Sequence, residues 1–144
     1  MTSENLREYV IFKLKEGLFA LEIGKVQNIE KIIRITEIPE AKPHIKGVIN
    51  LRGDLIIIID LNNKLSGVDT EITNQSRIVI LSNSECKVGL IVDSVVGVNQ
   101  FEDSMIENTK QVNTLNDCDA FKAVIKDGKD IILVVSEEKI QLDI

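Results

Sequence analysis

The side chains that could perform chemistry in this sequence are few and widely separated. His44 is the single histidine and follows Pro39 and Pro43 in a loop-like segment. A Ser-His-Asp or Cys-His arrangement would therefore depend on His44 alone. The two cysteines, Cys86 and Cys118, lack CxxC spacing and have no neighbour at the spacing of a zinc site. The sequence thus predicts no catalytic, cofactor or metal site, and we interpret His44 as a solvated loop residue.

Three aspartates follow or end apolar segments, a position where a carboxylate could be catalytic. They are Asp54, Asp60 and Asp93. An aspartate in such a position more often accepts hydrogen bonds from the backbone of the next turn, and we predict this capping role. The glycines are isolated and do not form a phosphate-binding loop.

Charge and composition argue against two classes of partner. The chain has 144 residues and a formal net charge of −6, whereas nucleic-acid binding depends on clustered Lys and Arg. No apolar run approaches the ~20 residues needed to span a bilayer. The first residues are polar, and we expect a soluble, cytoplasmic protein that neither binds nucleic acid nor inserts into a membrane.

The central stretch from residue 45 to 61 predicts a buried β-hairpin. Ile45–Leu51 alternates between apolar and polar faces, as a half-buried strand does. Leu55–Ile59 is apolar throughout, which favours a strand buried on both sides. Gly53 and Asp54 can supply the tight turn between these arms. Arg52 is then left at the rim of the hairpin.

The rest of the chain predicts short strands separated by turns. The predicted strands are Glu8–Leu14, Leu18–Ile23, Arg77–Leu81, Val88–Val92 with an extension through Val98, Phe121–Ile125 and Asp130–Val135. Helix is predicted only as single turns near Val26, Leu61 and Met105 and as a short C-terminal helix after Ser136. This pattern predicts an all-β fold of two small barrels that share one core. We expect a single domain, residues 1–144, whose two interleaved subdomains correspond roughly to the N-terminal and C-terminal halves.

The central stretch, Ile-Lys-Gly-Val-Ile-Asn-Leu-Arg-Gly at residues 45–53 followed by Ile-Asp-Leu at 59–61, resembles the CheW family of bacterial chemotaxis coupling proteins. The Gly-x-x-Val-Asp pattern at residues 89–93 is also similar to that family, as are residues 9–14, 19–29 and 131–139. Three positions depart from the family pattern: Asn28 replaces a frequent Glu, Ile57 a frequent Pro, and Ala123 a frequent Gly. Gly47 and Gly53 are interpreted as requirements of the backbone.

The resemblance implies two five-stranded SH3-like barrels around a shared hydrophobic core. It also implies a non-catalytic adaptor that couples the CheA histidine kinase, through its regulatory domain, to the cytoplasmic tips of methyl-accepting chemoreceptors. On the family pattern the receptor docks in a groove between the barrels, at Val26, Ile29, Arg52 and Val98. An amphipathic receptor helix would cover the three aliphatic side chains, and Arg52 would reach a carboxylate.

An alternative of a different class is a small-ligand-binding β-barrel. In that interpretation the polar stretch Glu102–Asp119 would be a lid, and metabolites rather than proteins would raise the melting temperature. The sequence does not indicate the class of receptor, the output pathway or the residues that contact the kinase.

Overall fold

The computed structural model describes residues 5–82, 87–108 and 120–142. Within these ranges the chain forms eleven strands and two short helices. The strands are β1 (Leu6–Leu14), β2 (Gly17–Glu22), β3 (Val26–Lys31), β4 (Ile45–Leu51), β5 (Asp54–Asp60), β6 (Arg77–Leu81), β7 (Val88–Val92), β8 (Ser94–Glu102), β9 (Ile106–Asn108), β10 (Phe121–Asp127) and β11 (Asp130–Val135); the helices are α1 (Leu61–Ser66) and α2 (Glu137–Leu142).

The strands form two sheets. A six-stranded sheet has the order β8-β1-β2-β11-β10-β9, and a five-stranded sheet has the order β3-β6-β7-β5-β4. The five-stranded sheet uses residues 26–92, whereas the six-stranded sheet joins β1 and β2 to strands that begin at residue 94. The predicted all-β fold is confirmed, with six strands instead of five in one sheet.

Each sheet encloses its own apolar core, and a third core lies between the sheets. The six-stranded sheet encloses Tyr9, Ile11, Ala20, Phe101, Ala123, Ile125, Ile132 and Val134. The five-stranded sheet encloses Ile49, Ile56, Ile58, Ile78, Ile80 and Ile91. The core between them, which we call the shared core, contains Phe12, Leu14, Leu21, Ile59, Leu61, Val79, Leu81, Val88, Leu90, Val92, Val135 and Ile140. The predicted arrangement of two barrels with a shared core is therefore confirmed.

Strand β1 is buried on both faces because it belongs to two of these cores. Tyr9 and Ile11 point into the six-stranded sheet, while Phe12 and Leu14 point into the shared core. Successive side chains of a strand alternate between its faces. Strand β1, with the predicted alternation, therefore separates the core of the six-stranded sheet from the shared core.

The central hairpin is confirmed, but its turn lies one residue earlier than predicted. Arg52 and Gly53 have φ angles of 53° and 87°, and Leu51 pairs with Asp54. Two positive φ angles between paired strands are typical of a type I′ turn. Leu55 was predicted to be buried but is 69% exposed, because the β5–β7 pairing begins only at Ile57.

The helical turns agree with the sequence at three of four places. Helix α1 is confirmed, and so is the turn near Met105, where Asp103–Met105 forms a 3₁₀ turn. Helix α2 buries Ile140, as predicted; Ile144 and residues 109–119 lie outside the described residues. A 3₁₀ turn, Ile23–Lys25, ends directly before Val26, but the helical turn predicted from Val26 onward is wrong, because Val26–Lys31 pairs with β6 as strand β3. None of the described helices is long and apolar enough to cross a membrane.

Candidate functional site

Strand β3 places two of the predicted receptor-binding residues on one face of the five-stranded sheet. Val26 lies opposite Leu81 of β6. The pairing then skips Gln27, which forms a bulge, and Ile29 lies opposite Val79. Leu81 and Val79 belong to the shared core, and directly opposed residues of an antiparallel pair lie on the same face. Because the bulge inserts one residue, Val26 and Ile29 share a face although they are three positions apart.

Strand β8 repeats this arrangement in the six-stranded sheet. Val95 lies opposite Phe12 of the shared core, Val96 is skipped as a bulge, and Val98 lies opposite Val10. Val10 is two residues from Phe12 on β1 and therefore points to the same side. Val95 and Val98 consequently also face the side of the shared core.

We call the four aliphatic residues on this side of the two strands the aliphatic rim: Val26, Ile29, Val95 and Val98. Val26 and Val95 are partly buried and pack against the shared core. Ile29 and Val98 are 37% and 48% exposed. Each sheet thus contributes one aliphatic side chain to the core and one to the surface beside it. Sequence reasoning missed Val95, although its spacing from Val98 equals that of Val26 from Ile29.

Arg52 lies at the tip of the β4–β5 hairpin, where its side chain is 76% exposed. Its Nη1 is 3.9 Å from Oε2 of Glu30 on β3, whose side chain is 22% exposed, and such a long ion pair at the surface contributes about 0–1 kcal/mol. Glu30 lies opposite Ile78 of the five-stranded core, so it is on the other face of β3 from Ile29. The structure thus brings Arg52 to the strand of Val26 and Ile29, but not to their face.

Asn28, which stands where the family often has Glu, takes part in the same contact. Its side-chain amide donates a hydrogen bond to Glu30 Oε2, the oxygen that faces Arg52. The carboxylate beside Arg52 is therefore supplied by Glu30 and held in place by Asn28.

The three aspartates have different roles. Asp60 caps α1, as predicted, by accepting a hydrogen bond from the Asn63 backbone N–H at 3.3 Å. Asp93 instead accepts from the backbone N–H of Lys15 in the preceding β1–β2 turn. Asp54 forms an exposed ion pair with Lys87 at 2.8 Å. The capping prediction is confirmed for Asp60 and is wrong for the other two, whose partners are distant in the sequence.

His44 is 8% exposed, so its interpretation as a solvated loop residue is wrong. The backbone carbonyl of His44 accepts a hydrogen bond from the Asp60 N–H at 2.8 Å, which draws the residue into the fold. Its buried Nε2 has no hydrogen-bond partner within the described residues. Burial lowers the pKa of His44, and the positive charges of three nearby lysines, Lys64, Lys42 and Lys46, lower it further. His44 is therefore neutral near pH 7.

This environment predicts a pH-dependent contribution of His44 to stability. The folded-state pKa lies below the unfolded value of about 6.5, so the unfolded chain binds its proton first and stability is lost as the pH falls through 6.5. Relative to His44→Leu, we expect the free energy of unfolding of the wild-type protein to fall by up to about 1.4 kcal/mol for each unit by which the pH is lowered. Urea denaturation at pH 7.5, 6.5 and 5.5 measures this difference. Parallel curves for the two proteins would contradict it, since the carboxylates are common to both.

Metal binding has no support in the part of the chain that the structure covers. The described residues contain no group of three or more His, Cys, Asp or Glu side chains that could hold an ion. Cys86 and Cys118 lie outside these residues. The described surface does offer an aliphatic rim and an exposed cation, Arg52, at the tip of the neighbouring hairpin.

Comparisons with known proteins agree with this geometry. A protein-family model described as the CheW-like domain matches residues 8–142. Chemotaxis protein CheW of Bacillus subtilis is 35% identical over 102 residues, which cover 71% of this chain and 65% of that protein, just under two thirds of its length. Chemotaxis protein CheW of Thermotoga maritima is 25% identical over 144 residues, covering 96% of this chain and 91% of that protein.

A solved structure has the same fold. The crystal structure of scaffolding protein TtCheW from Thermoanaerobacter tengcongensis matches with a TM-score of 0.81 and 33% sequence identity, covering 91% of this chain and 84% of that one. The likeness therefore extends over both sheets.

Proposed function

This chain belongs to the CheW family, and we propose that it is a non-catalytic adaptor in chemotaxis signalling. In this role it binds the regulatory domain of a CheA-type histidine kinase and the cytoplasmic tips of methyl-accepting chemoreceptors. It works in the cytoplasm and reaches the receptor array through these partners. The observation that carries the proposal is the aliphatic rim, which two strands from different sheets build beside the shared core.

The rim has the chemistry that an amphipathic receptor helix requires. Ile29 and Val98 expose aliphatic surface, on which the apolar face of a helix can pack. Arg52 is exposed and only weakly paired with Glu30. A carboxylate of the receptor can replace Glu30 as its partner through a stronger, charge-assisted hydrogen bond.

The backbone at Arg52 gives independent support for a binding role. The residue has a φ of 53°, in the left-handed region that costs a non-glycine residue about 1 kcal/mol or more. Type I′ turns favour Asn at this position, because Asn tolerates that conformation. Arginine is therefore a poor choice for the turn, and its side chain supports binding rather than folding.

Two substitutions of Arg52 test the proposal. We expect Arg52→Glu to weaken binding of a receptor-tip fragment by tenfold or more, because a charge-assisted hydrogen bond contributes about 1.5–3 kcal/mol. Arg52→Asn should weaken it too, while leaving the melting temperature unchanged or higher. Titration calorimetry measures the affinity, and circular dichroism the melting temperature.

Arg34→Glu is the matched control, since Arg34 is exposed and its reversal changes the net charge equally. It should leave receptor affinity within twofold. Equal losses for Arg34→Glu and Arg52→Glu would attribute the effect to overall charge, and unchanged affinity in both Arg52 variants would remove Arg52 from the site. A wild-type protein that binds neither receptor fragment nor kinase regulatory domain would contradict the proposed function.

The small-ligand alternative has less support. A surface cavity of about 330 Å³ is lined by Arg7, Asp103, Glu22 and Lys122 among others. Arg7 pairs with Asp103 at 2.8 Å, and Lys122 pairs with Glu22. These charges already satisfy one another, so the cavity offers a ligand little that is unpaired.

A further inference from the structure

A buried amide joins the two sheets at the end of β5 that is remote from the hairpin turn. Asn62, the second residue of α1, is 4% exposed. Its Nδ2 donates to Thr70 Oγ1 at 2.7 Å and to Asp93 Oδ1 at 2.8 Å. Both hydrogens of the amide are therefore used, one toward each of two distant segments.

Asp93 lies where the chain crosses from the five-stranded to the six-stranded sheet, between β7 and β8. Its backbone N–H donates to the Lys13 carbonyl at 3.0 Å, and its carboxylate accepts from the Lys15 N–H. Asp93 is thus fixed to the end of β1 and to the β1–β2 turn, both part of the six-stranded sheet.

Thr70 fixes the other end of the network to the five-stranded sheet. Its N–H donates to Asp60 Oδ2 at 2.8 Å, and its hydroxyl donates to Asp60 Oδ1 at 2.6 Å. Asp60 is the last residue of β5 and is also buried. Because α1 follows β5 directly, Asn62 is the side chain through which β5 reaches Asp93.

The angle between the sheets depends on directional polar contacts as well as on the packing of the shared core. The contacts of the shared core are apolar, and apolar burial has no preferred direction. Buried hydrogen bonds are directional and are costly to leave unmade, so a satisfied buried network specifies one arrangement. The bond between Asn62 and Asp93 therefore restricts rotation of one sheet against the other.

A small rotation of one sheet against the other near Asp60 would cause a large displacement at the proposed receptor surface. Arg52 is eight residues from Asp60 along β5, about 26 Å at 3.3 Å per residue, so a rotation of roughly 5° would move the hairpin tip by about 2 Å. Ile29 and Val98 belong to different sheets, and their separation would change with the same rotation. The receptor surface is therefore sensitive to the inter-sheet angle.

We propose that Asn62 is a positioning residue for the receptor surface: its bond to Asp93 fixes the angle between the sheets that carry the two halves of the aliphatic rim, whereas its bond to Thr70 lies on the side of the five-stranded sheet. This inference rests on the proposed function, because it concerns the same surface. Asn62 itself is buried and does not touch the receptor. Asn62 instead determines what fraction of the protein has the inter-sheet angle that the receptor binds, and the apparent affinity is proportional to that fraction.

The test combines a distance measurement with a binding measurement on Asn62→Leu, which retains volume but removes both donors. Nitroxide labels are attached to cysteines that replace Lys31 of β3 and Lys129 before β11, both of which are exposed. Pulsed electron paramagnetic resonance then measures the inter-sheet distance. The natural cysteines are removed by Cys86→Ser and Cys118→Ser. We expect a broadened or shifted distance distribution and a roughly tenfold loss of affinity for a receptor-tip fragment if the competent population falls to a tenth.

Thr70→Val is the matched control, because it removes the Thr70 hydroxyl from the same buried network but leaves the bond between Asn62 and Asp93. It should lower the melting temperature while keeping the wild-type distance distribution and affinity. If Asn62 had only a structural role, Asn62→Leu would behave like Thr70→Val: the melting temperature would fall, and the distance distribution and affinity would stay unchanged. If Asn62→Leu fails to fold, Asp93→Ala at a half-buried residue removes the same link, together with the acceptor of the Lys15 N–H, and is expected to give the same changes.

Unchanged distances in a folded variant without the link would overturn the proposal, and so would changed distances with unchanged affinity. Wild-type protein that does not bind the receptor fragment would contradict the proposed function instead. In that event the distance distribution alone shows whether Asn62 fixes the inter-sheet angle, so the two failures are distinguishable.

Discussion

Replacing Gly47 by alanine is expected to lower the free energy of unfolding by roughly 3–5 kcal/mol, since the change adds backbone strain to overpacking. Gly47 has a φ of 143°, and a Cβ there would lie 2.0 Å from the Thr36 carbonyl oxygen and 2.7 Å from its carbon. Thr36 cannot retreat easily, because its N–H and carbonyl bond to Val48 at 2.9 and 2.8 Å. The segment before β4 would have to separate from the strand. Urea denaturation followed by circular dichroism measures the loss.

Gly97→Ala is the matched control for this prediction. Gly97 has a similar φ of 152°, but a Cβ there would meet no atom within 4 Å. Both glycines lie beside a bulge, Gly47 in β4 and Gly97 in β8. The free energy of unfolding of Gly97→Ala should fall only by the strain of the backbone angle, about 1–2 kcal/mol. If the two variants lose the same amount, crowding against Thr36 is not the cause.

The fold was predictable because its signals are local. The uninterrupted isoleucines of β5 and the alternation of β4 require only that a strand be buried on one face or two. Gly47 and Gly53 are interpreted from the sequence as requirements of the backbone. The positive φ angles of both residues confirm this interpretation. Local patterns of this kind do not depend on which distant segment covers the strand.

The candidate site was less predictable, because bulges change which residues share a face. The spacing of Val26 and Ile29 matches one turn of a helix, and the sequence was interpreted in that way. In the structure the same spacing arises in a strand, since the bulge at Gln27 adds one residue to the two-residue period. Nothing in the sequence near Val26 distinguishes these cases. The distinction depends on the pairing with β6, about fifty residues later in the chain.

Long-range polar contacts were beyond sequence reasoning for the same reason. Asn62 and Asp93 are 31 residues apart, and neither has a neighbour that indicates the other. The prolines before His44 predict a solvated loop residue, yet the His44 carbonyl accepts a hydrogen bond from the Asp60 N–H and the residue is buried. The pattern of polarity predicts which strands are buried, but not which polar side chains are buried with them.

A second large effect is expected at Ile58, where aspartate should unfold the protein at neutral pH. Ile58 is fully buried among the other isoleucines of the five-stranded core. The packing is tight, since a Cβ on Gly89 would lie 3.1 Å from Ile58 Cδ1. An unpaired carboxylate at this point costs several kcal/mol in addition to the lost packing. That sum is comparable with the 5–15 kcal/mol by which a typical domain is stable. The far-ultraviolet circular dichroism of Ile58→Asp at pH 7 is therefore expected to be that of an unfolded chain.

Two further variants separate burial of the charge from other causes. Leu55→Asp introduces the same carboxylate on the same strand at a 69% exposed position. Its free energy of unfolding should stay within about 0.5 kcal/mol of that of the wild-type protein.

Ile58→Asn retains the shape of the aspartate without its charge. Burial raises the pKa of a carboxyl group, so its neutral form is favoured in the folded state. The stability deficit of Ile58→Asp relative to Ile58→Asn should therefore be present at pH 7 and vanish below about pH 4, where both states are protonated. A deficit that persists at low pH, or an equal loss in Leu55→Asp, would show that the buried charge is not what unfolds the protein.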